Sequence, residues 1–219
     1  GTLTQNVDTP SNNFATLNPL TFQFASQFAS IANGNTTLTT DSGSDWGTLW
    51  STIGVNSGKY YFEAKLVTKG VAGLIGIADI NAPAQNSSSA WNLGDTGSIG
   101  YGIYPSNGYV NYSGNSDAYG VSYTDGDIMG CAMDLDNSKL YFSKNGVFMN
   151  SANPAGNTGG FSISADYTYG FALSGYASTV WSANFGQGYF GTTAVASAGT
   201  APSEGGIFEY DCPSGYQAL

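Results

Sequence analysis

The sequence predicts an all-β protein built as a two-sheet antiparallel sandwich. From Phe14 onward, short β-rich runs alternate with Gly, Asn, Asp, Ser and Pro at close intervals. No run sustains helical periodicity, and Asn-Gly pairs at 107–108 and 145–146 mark tight hairpin corners. At 219 residues, 41% of them hydrophobic and 14% aromatic, the chain can close one large core. We divide it into a polar lead-in over 1–13 and a single sandwich domain over 14–219.

Pro10, Ser11, Asn12 and Asn13 break any regular pattern in the lead-in. Phe24, Phe28 and Ile31 permit one turn of helix, although Phe22 and Phe24 fit a strand equally. In the run Tyr60 to Leu66, Tyr60, Phe62, Ala64 and Leu66 share one face, and Glu63 and Lys65 share the other. Leu74 to Ala78 is apolar on both faces, as a central strand requires. Ile99–Tyr104 and Tyr109–Tyr112 flank the corner Pro105-Ser106-Asn107-Gly108. Three strands in a meander are expected next: Ile128–Leu135, Lys139–Lys144 and Val147–Met149, separated by Asp136-Asn137-Ser138 and Asn145-Gly146. Tyr167–Ser174 and Thr179–Asn184 read as a last hairpin, and 191–206, rich in Ala, Gly, Ser and Thr, as a loop. Trp46, Trp50 and Trp181 are assigned to the core.

Charge narrows the function. Only 9% of residues are charged, the net charge is −10, and the five basic residues are all Lys. That balance opposes phosphate binding, so nucleic acid is not an expected partner. Without His there is no Ser-His-Asp triad, Cys-His pair or His-ligated zinc, and without Arg no bidentate guanidinium clamp. Cys131 and Cys212 do not make a disulfide framework, and Cys131 reads as a buried free thiol. No apolar stretch approaches the length of a membrane span, no leader pattern opens the chain, and Gly1 suggests processing or excision.

The run Asp125-Gly126-Asp127-Ile128, then Asp134-Leu135-Asp136-Asn137, then Phe142-Ser143-Lys144-Asn145-Gly146, closely resembles the SPRY domain family. There, a Gly-Asp turn leads to a strand, a D-x-D-N turn and an F-x-K-N-G hairpin. Phe14 to Leu20 and Asn33 to Leu38 resemble the opening of the phage-associated branch, and Ser51 to Glu63 its first core strand. Asn184-Phe185-Gly186-Gln187 and Pro213 to Leu219 are similar to its closing motifs. The span from Gly188 to Cys212 is longer than the family's link. The resemblance implies a bent, concanavalin A-like sandwich with contact loops at one end, non-catalytic, on a virion surface such as a fibre or decoration. The implied partners are a host-surface glycan or protein, or other virion subunits, with homo-oligomers compatible and no cofactor.

Within that frame the contact candidates are Trp91, Tyr104, Tyr109, Tyr112, Tyr119 and Tyr176, in loops around 83–96, 104–123 and 175–179. A purely structural subunit-contact role uses no such rings. A glycoside hydrolase needs two facing carboxylates, but Lys65 stands two residues from Glu63, and Glu63 is expected solvated on the outer strand face. Asp134, Asp136 and Asn137 superficially suggest calcium, but Asn145 occupies the twelfth position where an EF-hand needs Glu. The glycines at 97, 100 and 102 lack the helix and Lys-Ser/Thr pair of a phosphate loop.

Overall fold

The computed structural model describes residues 13–21, 28–43, 45–81, 92–97 and 99–219. The strands in chain order are β1 (Phe28–Ala32), β2 (Thr37–Thr40), β3 (Trp46–Trp50), β4 (Lys59–Thr68) and β5 (Ala72–Asp79). They continue with β6 (Gly100–Ile103), β7 (Tyr109–Tyr112), β8 (Asn115–Ala118), β9 (Ile128–Asp134), β10 (Lys139–Lys144) and β11 (Val147–Phe148). The last are β12 (Phe161–Ser162), β13 (Tyr169–Tyr176), β14 (Val180–Asn184), β15 (Tyr189–Phe190) and β16 (Thr193–Ala194). Among the described residues there is no α-helix, only a 3-10 turn at Pro19–Thr21.

One sheet runs β1-β2-β14-β4-β9-β10-β11, with β12 also on β10. The other runs β3-β13-β5-β6-β7-β8. Pairing within both sheets is antiparallel, as expected for a sandwich. The meander β9-β10-β11 forms as the sequence predicts, with β9 and β11 each ending one residue early, at Asp134 and Phe148, and Asn145 and Gly146 turn it with φ of 49° and 81°. Phe28 and Ile31, read with Phe24 as permitting a turn of helix, lie instead on strand β1, whereas Phe22 and Phe24 lie outside the described residues.

The inner faces meet in the main core. Phe62 on β4 stacks on Phe171 of β13 at 4.3 Å and on Phe185 at 5.3 Å. Trp181 is fully buried, and its indole N–H donates to the Ser174 carbonyl of the opposite sheet at 3.0 Å. Burying so large a ring without that bond would strand a donor in apolar surroundings. Strand β5 is buried along its whole length, central in its sheet. Its Gly76 has a steric cause: a Cβ there would lie 1.8 Å from the Tyr101 carbonyl oxygen.

Two expectations need correction. Tyr169–Tyr176 and Val180–Asn184 do not form a hairpin, because they belong to different sheets. Ala177 and Ser178 adopt φ of 50° and 64° and swing the chain across the sandwich. Buried Thr179 then pins the crossing: its N–H donates to Thr40 Oγ1, and its hydroxyl lies within 2.9 Å of the Ala72 and Tyr176 carbonyls. Only this change of sheet puts Trp181 between the layers.

The second correction concerns the outer face of the first sheet. Glu63 was expected to be solvated on this face, but residues 188–219, largely loop over 191–206 as expected, form a strap across it, with Phe208, Cys212 and Tyr216 packed on Tyr61, Ala132 and Tyr141. Within the strap only β15 and β16 form a ribbon. Gln217 takes the place beside β4 beyond the last β14 pair, with Tyr61 N donating to its carbonyl at 2.8 Å. The closing motif anchors the strap: Asn184 Nδ2 donates to the Ile207 carbonyl, while Gln187 Nε2 donates to that of Ala15. Replacing Gly76 with Ala should lower stability by about 2–3 kcal/mol or more, read as an earlier urea midpoint; an unchanged midpoint would contradict this packing.

Candidate functional site

The strap packs on the first sheet alone, and alternation along the strands decides what the second sheet's outer face holds. On β3 it holds Trp46, Thr48 and Trp50, paired across to Tyr176, Ser174 and Ala172 of β13. The Trp46 and Tyr176 rings lie 5.2 Å apart, tilted by 43°, and both are half-buried. Thr48 and Ser174 share a hydroxyl hydrogen bond of 2.6 Å, and Ser174 Oγ accepts the Leu93 N–H at 3.1 Å. Leu93 thereby folds over Gly102, where a Cβ would approach its own Cβ to 2.5 Å. Trp50, Ala72, Leu74, Ala78, Leu93 and Ala172 form a pad separate from the main core, with Trp46, Ile80 and Tyr104 packed on it. Small residues on β5 and β13 let the aromatic rings stand against the sheet.

The pad continues into one end of the sandwich. Val71 N donates to the Tyr176 carbonyl, Gly126 N to that of Leu66, and Tyr123 N to that of Pro105, tying four connections together there. Exposed apolar side chains gather on this end: Val67, Val71 (60% exposed), Tyr109, Val121 and Val147 (72%). These side chains stand on or beside the connections of an otherwise polar surface.

Of the sequence candidates, Tyr104 and Tyr176 belong to the pad and Tyr109 to its loop end. Trp91 lies outside the described residues, as does most of the 83–96 loop. Tyr112 faces inward, stacked with Tyr101 and edge-on to Phe161, its hydroxyl donating to Asp117 at 2.7 Å. Tyr119 is a correction: it is buried, edge-on to Phe142 and Phe161, because β8 ends there and the chain turns inward. Trp46, assigned to the core, is a further correction, since it stands half-exposed at the pad's edge. The signal for it was present in the alternation Trp46, Thr48, Trp50 against Gly47, Leu49.

Glu63 is not solvated. It is fully buried beneath the strap, where Tyr61 OH and Tyr210 N donate to Oε1 at 3.0 and 2.9 Å, and Glu209 N to Oε2 at 2.8 Å. Burial pushes its carboxyl up to about 7 against the pull of those three donors, with the Glu209 charge adding to the rise. Its hydrogen-bonding capacity holds the strap. The D-x-D-N turn is likewise structural. Asp134 pairs with Lys59 Nζ at 2.9 Å and accepts from Asn137 N and Nδ2, and Asp136 accepts from Gly58 N. Among the described residues no three His, Cys, Asp or Glu side chains converge as metal ligands. Cys131 and Cys212 are both buried and free, on opposite faces of the first sheet, and burial pushes the Cys212 thiol up to about 12.

The chain is thus an antiparallel sandwich whose buried carboxylates are committed to structure, an architecture that many functions share. Residues 59–161 match the SPRY domain family, and the chain contains a SPRY domain. The chain is 35% identical over 91 residues to a Ran-binding proteins 9/10 homolog of Drosophila melanogaster, covering 41% of this chain and 9% of that protein. Human Ran-binding protein 9 is 36% identical over 90 residues, covering 41% of this chain and 12% of that one. The ATP-dependent RNA helicase DDX1 of Xenopus laevis is 35% identical over 102 residues, covering 47% and 12%. This chain therefore spans about a tenth of the length of these relatives. The crystal structure of the SPRY domain of human HERC1 superposes with a TM-score of 0.55 at 20% identity, over 70% of this chain and 90% of that one, which supports the fold.

Glu63 has a measurable consequence. Between pH 4.5 and about 7 the folded chain keeps a proton on Glu63 that the unfolded chain has released. Stability therefore falls as pH rises through that window, by on the order of 3 kcal/mol from this group. Glu63→Gln cannot ionise, so its stability difference from the parent should shrink across the same window in urea titrations. A pH-independent difference would contradict the burial of this carboxyl.

Proposed function

We propose that this chain is a non-catalytic recognition module that docks an extended segment of a protein partner on the second sheet's outer face. The observation that carries the reading is the half-exposed Trp46–Tyr176 pair, continuous through Val71 with the apolar loop end. Aromatic anchors of this kind supply large contact area with few rotors to immobilise, and binding energy concentrates at such rings. The β3-β13-β5 platform is held by two-sided pairing, so little order has to be created on docking. Among the described residues only two ion pairs form, Lys59–Asp134 and Lys144–Asp127. The net charge of −10 would steer a basic partner, with an association rate that falls as salt rises.

The relatives support a portable module: similar stretches occur in proteins named for Ran binding and in one named as an RNA helicase. The virion surface remains the setting we propose from the sequence resemblance to the phage-associated branch. None of the relatives named above bears a virion description. In that setting, many copies would convert weak single contacts into avidity.

Selection of peptides from a displayed random library against the purified chain tests the docking face. Trp46→Ala and Tyr176→Ala should each weaken the selected peptides by about tenfold or more while the far-ultraviolet spectrum stays unchanged. Peptides that bind both variants as tightly as the parent would exclude this face.

A further inference from the structure

On the opposite side of the molecule the strap creates a second site. Where residues 200–203 and 211–216 pass the connection after β11, they enclose an open cleft of about 690 Å³. That size falls within the roughly 300–1,000 Å³ of small-molecule pockets. One wall, with Phe148 and Asn153, comes from the segment matching the SPRY domain, and the other lies beyond it. The cleft is therefore a product of this chain's long span after Gly188.

The lining selects a ligand class. Asp211 is exposed, and the Thr200 N–H, 2.6 Å from its Oδ1, keeps its carboxyl below the usual range, so it is an ionised acceptor. Asn153 is also exposed; its Oδ1 accepts from Gly156 N at 3.1 Å, which orients the amide. Thr200, Ser203 and Ser214 add hydroxyls that both donate and accept, and half-buried Phe148 adds an apolar ring. No Lys lines the cleft and the chain carries a net charge of −10, which disfavours phosphate, nucleotides and acidic peptides. A wholly apolar ligand would strip water from the carboxylate, the amide and the hydroxyls without replacing it. An acceptor, an amide and several hydroxyls beside an aromatic ring match a ring of vicinal hydroxyls with C–H edges.

We propose that this cleft binds a neutral saccharide unit. It does so independently of the protein-docking face, which lies on the other sheet. No bond is made or broken, because Asp211 has no facing carboxylate in the lining and the nearby Cys212 thiol is held protonated.

Amide chemical shifts of the nitrogen-labelled chain, titrated with methyl α-mannoside, methyl β-galactoside and N-acetylglucosamine, test the proposal. At least one sugar should shift Thr200, Ser203 and Ser214 saturably at millimolar concentration. Ser214→Trp, which fills the cleft from an exposed position, should abolish those shifts, and Phe148→Ala should weaken binding by about tenfold or more. Both variants should keep the parent's spectrum elsewhere and its binding at the Trp46 face. Absence of saturable shifts with every sugar overturns the proposal. So do sugar shifts that survive Ser214→Trp, or saturable binding by butylamine alone, which would make this a cation site.

Discussion

Strand β4 has apolar cover on both faces, and the rest of the molecule is arranged around that constraint. Phe62, Ala64 and Leu66 point into the main core, whereas Tyr61 and Glu63 point out under the strap. A strand covered on one face could place an ionisable group outward at no penalty. Covered on both, it must satisfy Glu63 internally, and the three donors from Tyr61, Glu209 and Tyr210 do so. This buried carboxyl thus sets the register of the strap, since it is the 209–210 backbone of the strap that meets its oxygens.

The same cover makes the two sides of the sandwich unlike. The strap takes the first sheet's outer face and leaves the second sheet's outer face to Trp46, Tyr176 and Tyr104. Thr179 joins these consequences at the sheet crossing. Its backbone pairs with Thr40 in the first sheet, and its hydroxyl reaches the Ala72 and Tyr176 carbonyls in the second. The half-buried Trp46–Tyr176 pair and the buried Trp181 are therefore positioned by one corner, and a disturbance there would reach both.

What could be read in the sequence was local, and what could not was covered by something distant. The Asn145-Gly146 corner and the β9-β10-β11 meander were legible because turn chemistry and alternation are properties of neighbouring residues. The central placement of β5 was legible because five successive apolar or glycyl residues leave no face for water. The separation of β13 from β14 was not. Ala177 and Ser178 carry the positive φ values there, and neither residue type announces a left-handed turn. Glu63 was misread for a related reason. Alternation placed it correctly on the face opposite Phe62, but what covers that face arrives about 146 residues later in the chain. Tyr119 and Trp46 exchanged roles because ring type says nothing of which side of a strand end a connection turns toward.

A sandwich with few charges has few ways of refusing a wrong partner. Like-charge repulsion excludes anions from the whole surface, but Ser, Thr, Asn and Gly cover most of the rest and discriminate weakly. Specificity must then come from shape and from a small number of rings held in fixed geometry. The Trp46–Tyr176 pair has that fixity: both residues lie on strands paired to each other in register, and Tyr176 is also paired to Ala72. Loop valines at the same end add area but little geometry. The rings would therefore decide which partner docks, and the valines how long it stays.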